Sequence, residues 1–195
     1  MLVAGGGDYI LHLAKMYPDS VFEGVEIDPI QYQRCLTKKQ DLKLNNVNFI
    51  LGDLTEPVDS DKYDFAYSID VLEHIENDKL ALKNIYNALT TGGKLLLHVP
   101  LVEEHIFQKI KNMPKQEDHE RDGYNVDELL CKLTEVGFQI KLIKYTFSRY
   151  KGALAWELWK MYPYVTHPIV VILGFLDIIS FNKTGSGVLI IAKKR

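Results

Sequence analysis

The feature that most restricts how this chain folds is a rhythm: short, unbroken apolar runs alternate with longer segments that mix apolar and charged residues. The runs are 1–4, 21–26, 47–51, 65–69 and 94–99, followed by 138–147 and 188–192. Between the first five lie helix-like segments at 8–17, 29–44 and 77–89, and a loop at 53–62. Strands alternating with helices indicate an α/β fold. A run such as Leu95-Leu96-Leu97 indicates a strand covered on both faces. The expected architecture is a three-layer sandwich around a mostly parallel seven-stranded sheet. No ordinary crossover helix follows the long run 138–147, so the last strand is expected to insert antiparallel.

Local punctuation supports these boundaries. Asp28 is placed to cap the second helix, with Pro29 at its first position, where a missing N–H costs nothing. Asn125 with Glu128 three residues on resembles a capping box opening 126–136, and Gly137 stands where that helix stops. Thr91-Gly92-Gly93 is expected to close the helix before the fifth strand in the same way. At 195 residues the chain suits one domain, 1–195, with 148–184 inserted before the last strand. The balance of 23 Lys+Arg against 26 Asp+Glu, without a basic block, argues against a nucleic-acid partner. Two cysteines, Cys35 and Cys131, make neither a disulfide framework nor a zinc site. No basic stretch precedes an apolar run in the first sixteen residues, so no secretory signal is read and a cytoplasmic setting is expected.

The carboxyl ends of the first four runs carry the chemistry. Gly5-Gly6-Gly7 lies between a strand and a helix, where the backbone can turn tightly and approach a ligand. The unpaired N–H groups of the helix that follows favour a carboxylate or phosphate. Glu26, nineteen residues after Gly7, ends the second strand, where a carboxylate can accept from a ribose diol. Asp53 follows the third strand and can accept from an adenine amine; Ser68-Ile69 ends the fourth. Taken singly, each has an ordinary alternative: a tight turn, a cap, a solvated loop residue. Together they converge on the crevice where open α/β sheets bind ligands.

The pieces 3–8, Gly24-Val25-Glu26-Ile27-Asp28, Leu51-Gly52-Asp53, Asp70-Val71-Leu72-Glu73-His74-Ile75 and 89–100 occur in an order that resembles the class I S-adenosylmethionine-dependent methyltransferases. The likeness is to the broad group that includes the ubiquinone-biosynthesis methyltransferases. Residues 119–124, 128–130 and 137–138 extend it, so that it spans most of 1–147. It implies a Rossmann-like fold, S-adenosyl-L-methionine as cofactor and a methyltransferase activity. It also implies roles: Gly5, Gly6 and Gly7 pass under the methionine portion, and Glu26 binds the ribose with Ile27 against the adenine. Asp53 and Leu54 hold the adenine amine and ring, and the backbone of Ser68 and Ile69 meets the methionine amino group. Tyr9 departs from the pattern, standing where relatives carry another glycine.

The resemblance leaves the methyl acceptor open among small metabolites, lipids and sugar precursors. His74, after the fourth strand, and His119, in the polar stretch 103–122, are the candidate bases. Each has a structural alternative, as a loop-orienting or solvated histidine. No compact His/Asp/Glu spacing supports a metal. The stretch 168–181 is too short, and too interrupted by Asp177, to span a bilayer. It is read as packing on the sheet or forming a homodimer surface, with a pocket wall or peripheral membrane contact as the other readings. Two rivals stand beside a methyltransferase. One is a non-catalytic cofactor-binding or partner subunit. The other is a nicotinamide-dependent oxidoreductase, in which Ile10 replaces the third fingerprint glycine.

Overall fold

A computed structural model describes residues 2–4, 7–102, 121, 123–146 and 184–195. In chain order these form β1 (Leu2–Ala4), α1 (Asp8–Met16), β2 (Phe22–Glu26), α2 (Pro29–Asp41), β3 (Val47–Leu51) and β4 (Tyr63–Ile69). A 3-10 turn (Leu72–His74) leads to α3 (Asp78–Ala88), β5 (Leu89–Pro100), α4 (Val126–Val136), β6 (Phe138–Thr146) and β7 (Gly187–Lys194). The seven strands lie in the order β3-β2-β1-β4-β5-β7-β6. β1 to β5 pair in parallel, and β7 runs antiparallel to both β5 and β6. β6 therefore points the same way as β1 to β5, and its carboxyl end, Thr146, reaches the same edge as theirs.

Helix boundaries follow from their caps. The Asp28 carboxylate accepts from the Ile30 N–H at 2.7 Å, ahead of Pro29. Asn77 caps α3 through the Leu80 N–H, and Asn125 caps α4 through the Asp127 and Glu128 N–H groups. Glu128 turns to Lys132 at 2.8 Å and Arg121 at 3.6 Å. Gly137 ends α4 in the left-handed conformation.

Successive strand residues point to opposite faces, and two cores result. Tyr67 of β4 with Phe22 and Val47 meets Ile10, Leu11 and Ala14 of α1, with Phe65, Ile69 and Leu96 at the margin. On the other face Ala66, Leu95, Leu97, Val99, Val188, Ile190 and Ala192 meet Ala81, Leu82 and Ile85 of α3 and Leu129 and Leu133 of α4. Each such leucine, fully buried, contributes roughly 1.5–3 kcal/mol. Helices on both faces of one sheet make the α/β sandwich.

Two details differ from the sequence reading. β5 begins at Leu89, directly after α3, and Gly92-Gly93 lies within it at a break in register between Tyr63 and Phe65 of β4. The pair thus shapes a bulge rather than ending a helix. The connection after β4, unassigned between 69 and 77 on the sequence, tightens into the turn Leu72–His74. Residues 148–183 of the expected insertion, and Gly5, Gly6 and His119, lie outside the described residues. Among the described residues no helix is long and apolar enough to cross a membrane.

Candidate functional site

Parallel pairing brings the expected residues to one edge. Glu26 is paired with Leu51 across β2 and β3, and the Gly52 N–H donates to the Glu26 carbonyl at 3.0 Å. Ala4 pairs with both Val25 and Ser68, so β1 sits between the ends of β2 and β4. Glu26 and Asp53 consequently flank the same crevice. Glu26 Oε1 accepts the Asp28 N–H at 3.0 Å, and Asp53 Oδ1 accepts the Thr55 N–H at 2.8 Å. Each carboxylate thus has one oxygen that rigidifies its own turn and a second with no protein hydrogen bond among the described residues. Ile27, beside Glu26 after the end of β2, is 66% exposed. Leu54 differs: its side chain is buried in the core and its carbonyl accepts from Asn84.

Gly7 opens α1 at φ +70° without a side-chain cap. A Cβ there would lie 2.3 Å from Cys35 Sγ of α2, so the glycine lets α2 press against the start of α1. Cys35 is buried, and desolvation, aided by Glu26, pushes its thiol pKa up. It packs as a small apolar group rather than a nucleophile. The first N–H groups of α1 face the crevice edge without helical partners, as at any helix start. Tyr9 is exposed on this first turn.

At the end of β4, Ser68 is fully buried and its hydroxyl has no hydrogen-bond partner among the described residues; Ile69 is half-buried. Asp70 then adopts φ +51°, a conformation that non-glycine residues enter at a cost and that concentrates at functional sites. Its N–H donates to the His98 carbonyl at 3.1 Å, and its carboxylate lies 2.6 Å from His98 Nδ1. His98 Nε2 is 2.8 Å from Thr146 Oγ1. His98 and Thr146 were not singled out from the sequence. The available signal was a polar residue standing between Leu97 and Val99, well inside the apolar run 94–99. His74 ends the 3-10 turn and is exposed.

Behind this edge, Glu73 is buried, with one carboxylate oxygen unpartnered among the described residues; desolvation raises its pKa. The single Tyr124 hydroxyl hydrogen is shared between Asp78 at 2.9 Å and the Leu72 carbonyl at 3.1 Å, and Asp78 also receives Lys132 at 2.8 Å and Arg121 at 3.2 Å. The Arg121 N–H donates to the Glu73 carbonyl, and Leu101 bridges to Tyr124. Both flanks of 103–120 are thereby tied to the turn after β4. Among the described residues no group of His, Cys, Asp or Glu is arranged to hold a metal ion. A groove of about 620 Å³ lies at the opposite edge of the sheet, lined by Tyr17, Val21, Glu23, Lys62 and Tyr63 among others.

Residues 2–149 match the family described as "Methyltransferase domain". The chain belongs to that family. It is a class I S-adenosylmethionine-dependent methyltransferase by family, and S-adenosylmethionine is the family's cofactor. Among curated relatives, N-methyltransferase 4 of Papaver somniferum is 28% identical over 115 residues, covering 58% of this chain and 32% of that protein. The (S)-coclaurine N-methyltransferase of the same plant is 29% identical over 108 residues, covering 55% and 29%. The matches therefore span about a third of these relatives' length. Among solved structures, the Haemonchus contortus phosphoethanolamine N-methyltransferase 2 in complex with S-adenosyl-L-methionine superposes with a TM-score of 0.70 at 18% identity, covering 100% of this chain and 48% of that one. The [4+2]-cyclase SpnF superposes at 0.71 and 19%, covering 99% and 73%. At such identities these superpositions establish the shared fold. For this methyltransferase-family chain, the paired carboxylates at one edge and the exposed Ile27 fit a nucleoside.

Proposed function

We propose that this chain transfers a methyl group from S-adenosylmethionine to a small-molecule acceptor, with nitrogen the acceptor atom. The observation that carries the reading is the convergence of Glu26 and Asp53 on adjacent strand ends, each with an oxygen left over after its turn is satisfied. Glu26 accepts from the ribose hydroxyls, Ile27 covers one face of the adenine, and Asp53 accepts from the exocyclic amine beside Leu54. Gly5, Gly6, Gly7 and the first N–H groups of α1 receive the methionine carboxylate. The backbone at Ser68 and Ile69 receives its ammonium.

When bound, the sulfonium supplies an electrophilic methyl group. The chain's task is then alignment and proton removal. Alignment alone is worth up to roughly 7–11 kcal/mol in the best intramolecular cases. His74 and His119 are two candidate bases for the acceptor, His74 because it leaves β4 at the crevice; His98 at the end of β5 is a third. The nitrogen acceptor is favoured because the curated relatives above are named N-methyltransferases. The reading takes 1–195 as one cytoplasmic domain.

A second reading, a methyltransferase-like fold put to another use, is favoured by Tyr9 where the family pattern has a glycine and by the likeness to a cyclase. Transfer of label from [methyl-³H]S-adenosylmethionine to ethanolamine, tetrahydroisoquinoline, a catechol and a phospholipid distinguishes them. The proposal expects labelled product with an amine. Cofactor binding without product from any acceptor supports the second reading.

A further inference from the structure

Resting on the methyl-transfer reading, we propose that Asp70, His98 and Thr146 form a proton relay on the acceptor side of the crevice, with the Thr146 hydroxyl as the group that meets the acceptor. The strand order supplies the argument. Along the carboxyl edge, β3, β2 and β1 carry the nucleoside-binding groups, and β4 carries the reacting end. The next strands outward are β5, β7 and β6, which hold His98, Gly187 and Thr146.

Two features fix the relay. Asp70 takes the left-handed conformation while its N–H donates to the His98 carbonyl at 3.1 Å, which turns its carboxylate onto His98 Nδ1 at 2.6 Å. On the other side, a Cβ on Gly187 would stand 2.6 Å from Thr146 Oγ1 and 2.9 Å from His98 Nε2, so the glycine leaves the space their contact occupies. An ionised carboxylate only accepts, so Nδ1 bears the hydrogen and Nε2 of the neutral ring accepts from Thr146. This is the arrangement in which a hydroxyl is coupled to a base that a third group orients.

The proton balance is simple. An acceptor bound as its ammonium gives one N–H proton to Thr146 Oγ as the Thr146 proton passes to His98 Nε2, which frees the nitrogen lone pair to attack the methyl carbon as the C–S bond breaks and its electrons return to sulfur. The methylated amine leaves as an ammonium, and the imidazolium is held by Asp70, itself 54% exposed, until it loses the proton to water. Among the described residues the groups facing the ring are Asp70 from the β4 end, the buried Glu73 from the turn, Thr146 from β6 and the Gly187 backbone from β7. Asp70 and His98 act through Thr146 and are positioning residues.

Two readouts test this. In protein labelled with ring-¹⁵N histidine, the resonances lost in His98→Asn identify His98. The relay expects Nδ1 protonated and Nε2 unprotonated at pH 8, with the preference lost in Asp70→Asn and Nε2 shifted in Thr146→Val. With an amine acceptor, His98→Asn and Thr146→Val are expected to lower kcat about 10²-fold, the low end for general-base help. Thr146→Ser restores it, Asp70→Asn alters the pH dependence of kcat, and S-adenosylhomocysteine affinity stays within twofold. A mixed tautomer indifferent to Asp70→Asn, or a folded His98→Asn or His98→Gln with wild-type kcat and pH profile, overturns the relay while methyl transfer stands. A wild-type chain that methylates no amine overturns the acceptor reading instead, and the tautomer measurement, which needs no turnover, still decides the relay.

Discussion

Replacing Glu26 isolates the contribution of one side chain to cofactor binding. Its Oε1 is engaged with the Asp28 N–H at 3.0 Å, and its second oxygen is directed to the ribose under the proposed binding mode. A hydrogen bond to a charged group is worth about 1.5–3 kcal/mol, and each 1.4 kcal/mol is a factor of ten in Kd. Glu26→Ala removes the carboxylate and is expected to weaken S-adenosylhomocysteine roughly 10- to 150-fold in calorimetric titration. Glu26→Gln keeps an acceptor for Asp28 and loses only the charge, so about half the energy and roughly a 3- to 10-fold loss are expected. Glu23→Ala is the control: Glu23 sits on the same strand at the opposite edge, where it binds Lys62 at 3.1 Å and the Tyr63 hydroxyl. It should change stability and leave Kd alone. Glu26→Ala binding within twofold of wild type, or Glu23→Ala weakening binding as much, would refute the reasoning.

Two further outcomes follow from packing and ionisation. Gly7→Ala combines a left-handed φ, costing about 1–2 kcal/mol, with a Cβ driven against Cys35 Sγ, costing about 1–3 kcal/mol. Urea denaturation should show the sum, and Gly7→Ala/Cys35→Ala should recover the second part; no recovery would mean that Cys35 is not the obstacle. Burial raises the Glu73 pKa, so the fold prefers the neutral acid, and that preference is fully present at low pH and lost as pH rises through the folded value. Wild type should therefore lose stability relative to Glu73→Gln as pH rises above the ordinary carboxylate range, by up to the roughly 1–3 kcal/mol an unsatisfied buried group costs. A difference that stays flat with pH would contradict it.

What could be read from the residues was what is local. Asp28-Pro29 and Asn125 announce α2 and α4 because a cap and its N–H donors lie two or three residues apart. The meeting of Glu26 and Asp53 at one edge was legible because one ends and the other closely follows a strand of a sheet expected to be parallel. His98 was not. Its partners stand 28 and 48 residues away: Asp70 meets it because β4 pairs with β5, and Thr146 because β7 slots between β5 and β6. The bulge at Gly92-Gly93 was misread as a helix stop because the same dipeptide serves both purposes and only the partner strand decides between them.

The account turns on a nucleoside lying across the ends of β2 and β3, and a crystal structure with S-adenosylhomocysteine tests that directly. The expected result is ribose hydroxyls within hydrogen-bond distance of the Glu26 carboxylate and the adenine amine on Asp53, with the sulfur over the end of β4. Ligand seated in the groove between Tyr17 and Lys62 at the other edge, or at the described edge with Glu26 and Asp53 untouched, would contradict it.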